Sequence, residues 1–466
     1  ISFHCNRSQS DKKKTGRATK HNAKNTTFSP HRAKSHRKDF LYRPILPIFA
    51  HTYTTKLKHY LIMKLKKRMM TGMLAATLGA MVPAQAQTAE LPLQQFLFAF
   101  FSNNSPYGEQ VRYALSDDGY DYTSLNQGRP VVASDTIALK KSIRDPYITR
   151  GRDGKTFYMV MTDMRSDEVG KATTDYPDEE HRPHPLATHG HRLPHTFPQP
   201  DGIRPRKPTC RLGASNHLDD EAGKYMIYYS IGRHDWEYPT EDPNFKQPYF
   251  KLFYSYVNED FTDITEPKLL FDFGTAAIDG DIVYNPKTKE YVLFFKDEGR
   301  SVMNKGFRTR QGVMRATAPR PTGPYTIEWR HLQKEGQYPV EGSSVFPLIG
   351  SDEYVLMYDA THRVLPICKS TNLKDFNIRA KHEDHGDFTP RHGSVMHITQ
   401  AERERLEAWS ELSTAVNDLR TRPVPTLTLK QLERRPALLA KAQKVLDTVS
   451  DPETMVAMTK KLEKFK

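Results

Sequence analysis

The chain has 466 residues, of which 37% are hydrophobic, and it carries a formal net charge of +14 at pH 7. This length suffices for two or three hydrophobic cores, and the hydrophobic content excludes a wholly disordered chain. A positive charge of this size suggests nucleic-acid binding only if the basic residues lie on the folded part. They do not, because residues 1–62 contain fourteen Lys and Arg against two acidic residues.

The sequence from Met63 has the three-part layout of a secretory signal peptide. A basic segment at 64–68 precedes an apolar run at 69–82, and the small-residue site Ala84-Gln85-Ala86 follows. The apolar run is too short to span a membrane. We therefore expect residues 63–86 to direct export to the periplasm or the cell exterior, and residues 1–62 to be disordered upstream sequence translated ahead of the true start. A basic nucleic-acid-binding arm or localisation signal is the alternative for residues 1–62.

Short strands rich in aromatic and β-branched residues recur over residues 91–398, separated by Gly, Pro, Asn and Asp. Five of these strands are similar runs of aromatic and aliphatic residues: FLFAFF at 96–101, TFYMVMT at 156–162, KYMIYYS at 224–230, EYVLFFK at 290–296 and EYVLMYD at 353–359. A multi-strand unit repeated five times is typical of a β-propeller, whose last blade is usually closed by strands from both chain ends. We therefore predict an all-β fold, a five-bladed β-propeller over residues 87–398, rather than a β-sandwich.

Acidic residues stand near the start of several predicted blades. Asp145 follows Arg144 in RDPYI, Asp279 and Asp281 lie in AIDGDIVYN, and Glu341 lies in VEGSSVF. Because the innermost strand of each blade faces a central channel, these carboxylates are expected to share one cavity, where like charges raise at least one pKa. Such carboxylates suit glycoside hydrolysis, in which one protonates the leaving oxygen and another activates water or attacks the sugar. Each motif alone also suits a turn, a bend or a hairpin edge.

The motifs RDPYI, AIDGDIVYN, VEGSSVF and FTPRHGSV resemble those of glycoside hydrolase family 43. That family consists of five-bladed propeller enzymes that remove arabinose, xylose or galactose units from plant polysaccharides with inversion at the anomeric carbon. The resemblance implies that Glu341 is the general acid, Asp145 the general base and Asp279 the residue that modulates the pKa of the acid. Asp281 is the alternative to Asp279, because either could project inward from its strand.

The resemblance also implies that Arg144, Asp281, Arg391 and His392 contact the substrate. His392 corresponds to an axial histidine that contacts a Ca²⁺ ion or a water network, so a structural Ca²⁺ in the channel is an expectation, although no cofactor is required. We expect a monomer with no membrane span and no nucleic-acid partner that acts on an oligo- or polysaccharide.

The expected activity is that of an α-L-arabinofuranosidase or a β-xylosidase. Three alternatives stay open: an exo-galactanase of the same family, a non-catalytic carbohydrate-binding propeller and a protein-binding propeller. The last is disfavoured because a protein-binding scaffold does not need three inward-facing acids.

Residues 169–218 depart from the strand pattern. They hold five histidines between His181 and His195 and eight prolines between Pro177 and Pro208, and no strand pair can be drawn there. A zinc site is disfavoured because the histidines share no register and no regularly spaced carboxylates accompany them. A disordered insertion is the ordinary alternative, although so long a structureless segment inside a compact domain is uncommon.

A shift of reading frame is a third interpretation of residues 169–218. Back-translation of RLGASNHL with a one-base offset permits VWAPQTIW, which resembles the WAP blade motif of the family. The same offset permits WESN near Val169 and LMKSTDLIHW near Pro177. We therefore expect this segment to be read out of frame, and the chain as written to have weak or absent activity.

The residues from Thr399 to the end change from strand to helix periodicity. Thr399 and Glu402 form a capping box before ERERLEAWSELSTAVNDL, and the sequence Ser450-Asp451-Pro452-Glu453 begins another helix. We expect residues 399–466 to form two or three amphipathic helices packed beside the propeller, with a partner-binding helix as the alternative.

Overall fold

The computed structural model describes residues 2–3, 92–132, 138, 140–166, 187–188, 191–192, 210–233, 236, 248–258, 261, 263–299, 302–333, 339–360, 364–383, 387–448 and 451–465. The expected signal peptide, most of the expected upstream leader and most of residues 169–218 lie outside these described residues. The interpretations of those segments therefore stay predictions.

The described chain contains short strands followed by helices. The strands are β1 (Ser2–Phe3), β2 (Leu93–Phe100), β3 (Arg112–Ser116), β4 (Thr123–Ser124), β5 (Ile143–Arg150), β6 (Phe157–Asp163), β7 (Ala187–Thr188), β8 (His191–Arg192), β9 (Cys210–Asp219), β10 (Lys224–Arg233), β11 (Tyr249–Val257), β12 (Lys268–Phe271), β13 (Ala277–Asn285), β14 (Glu290–Asp297), β15 (Met303–Asn304), β16 (Phe307–Arg308), β17 (Val313–Ala318), β18 (Thr326–Glu328), β19 (Val340–Pro347), β20 (Tyr354–Ala360), β21 (Val364–Ser370), β22 (Asn377–Glu383) and β23 (Gly393–Thr399). The helices are α1 (Gln400–Thr421), α2 (Leu429–Thr448) and α3 (Pro452–Glu463), with 3₁₀ turns at Asn126–Gly128 and Val424–Thr426.

The strands build the blades of a propeller. Four blades are four-stranded sheets with the orders β9-β10-β11-β12, β13-β14-β17-β18, β19-β20-β21-β22 and β23-β2-β3-β4. The remaining blade is short, because β5 pairs with β6, and β6 pairs in parallel with the two-residue strand β1. Strand β23 pairs antiparallel with β2, so strands from both ends of the propeller close the last blade. The predicted propeller is confirmed, but its blade count differs slightly from the prediction, with four complete blades and one reduced sheet of β5, β6 and β1.

The first strand of each blade lies innermost, and these five strands form a closed ring. Strand β5 contacts β9, β9 contacts β13, β13 contacts β19, β19 contacts β23, and β23 contacts β5. Residues near the start of each inner strand therefore converge on one axis, which is the property that the predicted site requires.

Strand β9 corrects the expectation that no strand could be drawn within residues 169–218. It pairs antiparallel with β10, from Asp219 opposite Lys224 to Cys210 opposite Gly232. The pairing uses backbone N–H and C=O groups, which nearly every residue supplies, so this strand forms without the apolar pattern that sequence analysis detects. The out-of-frame interpretation of the segment stays a hypothesis.

The second strand of each blade is buried on both faces, because the neighbouring blades cover it. In β10 every residue after Lys224 is buried, and the last six residues of β14 are buried. A strand covered on both sides shows a continuous apolar run rather than alternation. This burial explains the repeated aromatic segments in the sequence.

The C-terminal helices pack on the propeller and share its core. Thr399 caps α1 in the predicted capping box with Glu402, and Asp451 caps α3. Leu406 and Leu412 of α1 belong to the same buried cluster as Leu97 of β2. The predicted helical appendage is therefore an integral part of the fold. No helix in the described part of the chain is long and apolar enough to cross a membrane.

Candidate active site

Three inner strands carry a β-bulge at the same place, close to their first residues. The pairing register shifts directly after Arg144 in β5, after Ile278 in β13 and after Glu341 in β19. Asp145 and Asp279 lie inside these bulges with φ values of 49° and 53°. A bulge re-aims a side chain out of the regular alternation, and Asp is one of the few residue types that enter the left-handed region readily. The acidic motifs of the sequence are therefore bulge motifs.

Gly342 occupies the left-handed position of the third bulge, directly after Glu341. Its φ is 65°, and a Cβ atom at this position would lie 2.0 Å from Cγ of His392. Glycine is required here on two counts, because other residues strain this backbone conformation and because the imidazole fills the space. The glycine thus lets His392 pack against β19.

The bulges bring three of the predicted carboxylates together with two predicted cations. Nε2 of His392 lies 2.7 Å from Oδ1 of Asp145, and Nη2 of Arg391 lies 2.5 Å from Oε1 of Glu341. Charges on Asp145, Glu341 and His392 all affect the pKa of Asp279. Sequence motifs far apart in the chain therefore meet in one cluster at the ring of inner strands.

Asp359 lies at the centre of this cluster, although sequence analysis did not select it. It is 2% exposed, and its Oδ2 atom accepts hydrogen bonds from Nε of Arg391 and, at 2.6 Å, from Nδ1 of His392. Its strand partner in β19 is Glu341. The available signal was the charged end of the segment EYVLMYD, which closes at Asp359.

Lys296 is the second member of the cluster that sequence analysis missed. Its Nζ atom lies 2.9 Å from Oε2 of Glu341 and 2.8 Å from Oε2 of Glu298. Lys296 ends the segment EYVLFFK and pairs in register with Ile278, next to the bulge in β13. A buried ammonium group needs paired carboxylates, so these two ion pairs account for its position.

His392 and Asp145 form a charged pair. Burial lowers the pKa of His392, but hydrogen bonds to Asp145 and Asp359 and the charges of both carboxylates raise it to about 10. Burial raises the pKa of Asp145, and the hydrogen bond and charge of His392 outweigh burial, so that this pKa lies below its ordinary value. At neutral pH the pair is an imidazolium and a carboxylate.

Asp279 and Glu341 have opposite pKa shifts. Burial, together with the charges of Asp145 and Glu341, outweighs the opposing charge of His392 and raises the pKa of Asp279 to about 6. Burial also raises the pKa of Glu341, but the charges of Lys296 and His392, with smaller contributions from two arginines, hold it well below its ordinary value. Of these two carboxyls, Asp279 retains a proton to the higher pH.

Asp281 lies between neighbouring inner strands, and its predicted substrate contact stays a prediction. It is 1% exposed, and its carboxylate accepts hydrogen bonds from N of Val345 at 2.6 Å and from the hydroxyl of Tyr147 at 3.1 Å. Two residues apart in a regular strand, Asp279 and Asp281 would point to the same face. The bulge between Ile278 and Asp281 breaks this regular alternation. Asp281 therefore forms hydrogen bonds to the neighbouring inner strands β5 and β19.

Arg144 lies beside the cluster and is held by other groups. Its Nη1 atom donates to Oγ of Ser166 at 2.7 Å and lies 3.6 Å from Oε1 of Glu109, and its guanidinium lies 4.7 Å from the ring centroid of Phe101. Its charge still lowers the pKa of Asp145. Arg144 therefore acts on the site through its charge. Its predicted contact with the substrate stays a prediction.

The expected Ca²⁺ ion does not fit the donor set. Glu341, Asp359 and His392 present ligand atoms within 4.8 Å of one another. Ca²⁺ takes six to eight oxygen ligands, yet both oxygens of Glu341 already pair with Arg391 and Lys296. The imidazole is protonated at neutral pH, because the carboxylates of Asp145 and Asp359 raise its pKa to about 10. A further cation would face three positive charges here.

A family model and one curated relative match the propeller region. The model for the glycosyl hydrolase 43-related domain, described as "Probable glycosyl hydrolase domain", matches residues 92–404. An α-L-arabinofuranosidase of Bifidobacterium longum subsp. longum is 20% identical over 316 residues, which cover 60% of this chain and 28% of that protein. The chain thus spans little more than a quarter of the length of that relative.

Solved structures with similar folds have low sequence identity. An endo-arabinase from Bacteroides thetaiotaomicron is 12% identical with a TM-score of 0.36, over 67% of this chain and 96% of that chain. An α-L-arabinofuranosidase from Clostridium thermocellum is 12% identical with a TM-score of 0.37, over 59% and 83%. At this level of identity the solved structures show a shared fold and no more.

Proposed function

The chain belongs to the family of glycosyl hydrolase 43-related domains, and from this we propose that it removes terminal or side-chain arabinose- or xylose-type units from plant polysaccharides. The observation that carries the proposal is the meeting of Asp145, Asp279 and Glu341 at the bulges of three inner strands. Glycoside hydrolysis uses one carboxyl group as the acid and another as the base, and this cluster supplies candidates for both.

Asp145 is assigned as the general base. The imidazolium of His392, at 2.7 Å, keeps the pKa of Asp145 below its ordinary value, so the carboxylate is ionised and able to accept a proton from water. Activated water attacks the anomeric carbon, the bond to the leaving oxygen breaks, and the configuration inverts. His392 and Asp359 hold the base in place and do not need to transfer a proton.

Glu341 is assigned as the general acid. Its side chain is 24% exposed, against 13% for Asp145, so it is the more accessible carboxylate. Lys296 and Arg391 keep the pKa of Glu341 well below its ordinary value. Substrate must weaken these ion pairs before Glu341 can carry the proton, and Asp279, with a pKa raised by burial to about 6, is the group that holds it beforehand.

Hydrolysis of nitrophenyl arabinofuranoside, xyloside and galactoside by the full chain tests the proposal. We expect release of nitrophenol from one of the first two substrates, at a low rate because of residues 169–218. Asp145→Asn and Glu341→Gln should lower this rate by at least about 100-fold. Glu353→Gln is the matched control, because Glu353 pairs with Lys369 at the start of β20. Undiminished hydrolysis by Glu341→Gln would remove the assigned acid.

One observation favours a second candidate, a propeller that binds carbohydrate without cleaving it. Lys296 and Arg391 hold Glu341 as a carboxylate, which suits hydrogen bonding to sugar hydroxyls better than proton donation. Binding of arabinan or xylan without hydrolysis of any of the three glycosides would establish this candidate. Hydrolysis of the galactoside alone would instead indicate an exo-galactanase.

The same proposal includes an exported monomer that needs no metal and no nucleic-acid partner. It is supported by the signal-peptide pattern from Met63 and by the misfit of Ca²⁺ to the cluster of Glu341, Asp359 and His392. Mass spectrometry of the mature N-terminus should find it directly after Ala86. Peptides from residues 1–62 in the native protein would contradict the proposed start.

A further inference from the structure

A cavity lies at the rim of the propeller, between two neighbouring blades. Its volume is about 590 Å³, and its lining includes Phe273, Tyr325 and Trp329 together with Asp272 and Lys305. These residues follow or adjoin β12, β15 and β18, and β12 and β18 are the outermost strands of their sheets. The catalytic cluster lies on the innermost strands, so the cavity is separate from it.

The aromatic wall of the cavity is held rigidly. The ring centroid of Trp329 lies 6.1 Å from that of Phe273 and 5.7 Å from that of Phe307. The hydroxyl of Tyr325 donates to the carbonyl oxygen of Pro321 at 2.7 Å. Trp329 and Tyr325 are half-buried, so part of each ring remains accessible. Apolar ring faces of this kind are available for contact with a ligand.

Asp272 supplies a fixed carboxylate at the same cavity. Its Oδ1 atom accepts hydrogen bonds from the hydroxyl of Tyr249 and, at 2.9 Å, from N of Gly274, and its Oδ2 atom pairs with Nζ of Lys251 at 2.7 Å. Burial raises the pKa of Asp272, but these partners outweigh burial and lower it. The carboxylate is thus ionised, oriented and charge-balanced.

Lys305 adds an exposed side chain with an amine to the lining of the cavity. Its Nζ atom lies 5.7 Å from the ring centroid of Trp329. The cavity therefore combines aromatic faces with an oriented hydrogen-bond acceptor and an exposed donor. A sugar ring has the complementary surface, with an apolar C–H face and a rim of hydroxyl groups that both donate and accept.

We propose that this cavity binds a sugar unit of the polysaccharide, with the sugar ring against Trp329 and Tyr325 and its hydroxyls on Asp272 and Lys305. Gly274 precedes β13 by three residues, and Asp279 is the third residue of that strand, so both lie at the same end of the blade. A polymer held at the rim is therefore presented to the end of the propeller where the bulges lie. The choice of polymer rests on the proposed function, but the binding does not require hydrolysis.

Affinity gel electrophoresis with soluble arabinan and arabinoxylan tests this site. The full chain carrying Glu341→Gln serves as the parent, so that the polymer is not degraded. We expect one of these polymers to retard the parent, and Trp329→Ala to weaken the apparent affinity about fivefold or more. Lys305→Ala, a change to an exposed side chain that leaves the core intact, should weaken it about twofold.

Tyr284→Ala is the matched control, because Tyr284 is an exposed tyrosine near the other end of β13. This variant should be retarded like the parent, and Trp329→Phe should recover part of the affinity. Equal retardation of the parent and both cavity variants overturns the site, as does a parent that neither polymer retards. Weakened retardation in a chain that hydrolyses no glycoside leaves this site standing and removes only the proposed activity.

Discussion

Asp359 contributes to the charge state of the site from a buried position, because its hydrogen bond and charge raise the pKa of His392. Its Oδ2 atom holds both His392 and Arg391, and these in turn contact the two carboxylates assigned to catalysis. Its local sign in the sequence is the charge that ends the segment EYVLMYD, and this charge alone does not indicate such a role. Its importance arises from what the fold places around it.

Removing the charge of Asp359 should lower the pKa of His392. Asp359→Asn keeps the shape of the side chain and removes one of the two carboxylates that raise this pKa to about 10. We expect a fall of about one pH unit or more, observed by NMR titration of ¹³C-labelled histidine. Asp352→Asn, at an exposed position, should leave the titration unchanged. An unchanged His392 titration in Asp359→Asn would contradict the electrostatic description of the cluster.

The proton on Asp279 should control the alkaline side of the pH profile. Burial raises the pKa of Asp279 to about 6, so the cluster carries this proton below that pH and loses it above. We expect kcat/KM for a nitrophenyl glycoside to fall as the pH rises through about 6. Asp279→Asn should abolish this limb while lowering the rate. Persistence of the limb in that variant would assign it to another group.

At the scale of the strand, the bulge is the device that builds the site. Each of β5, β13 and β19 shifts register near its start, and this shift decides which acidic side chain reaches the cluster. The sequence predicts the strands and the acidic motifs, but Asp279 and Asp281 are equivalent in a regular strand. Only the pairing with β14 distinguishes them, because a bulge depends on the partner strand.

Gly342→Ala should be more damaging than the same change at a glycine with open surroundings. Both Gly342 and Gly350 have positive φ, 65° and 71°, but a Cβ at Gly342 meets His392 whereas a Cβ at Gly350 meets no atom within 4 Å. We expect Gly350→Ala to cost about 1 kcal/mol of unfolding free energy from backbone strain alone, and Gly342→Ala to cost at least about 1 kcal/mol more. Urea denaturation measures both, and equal costs would show that the imidazole moves aside freely.

At the scale of the whole molecule, the helices and the propeller share one buried core. The cluster that joins them contains residues of β2, β3, β5 and β6 as well as α1, α2 and α3. Arg150 of β5 also pairs with Glu402 of α1 at 2.6 Å. Helices that were joined to the propeller only through the chain would lack this shared core and this ion pair.

A single buried leucine in the first helix should therefore affect the stability of the propeller. Leu412 is 0% exposed, and Leu412→Ala should cost about 2–5 kcal/mol of unfolding free energy. Leu429 is 81% exposed, and Leu429→Ala should change the unfolding free energy by less than about 0.5 kcal/mol. Circular dichroism and calorimetry should show one transition. Loss of the helices in a separate, earlier transition would contradict a shared core.

The sequence by itself determined the repeat of buried strands, the propeller fold, the capped helices and the acidic motifs, because each of these follows from a local pattern of polarity or spacing. It could not reveal Asp359, Lys296 or strand β9. The first two acquire their roles from partners distant in the chain, and β9 forms through backbone pairing that any side chains permit. The tertiary structure alone decided the pKa values, since burial and charge act through space rather than along the sequence.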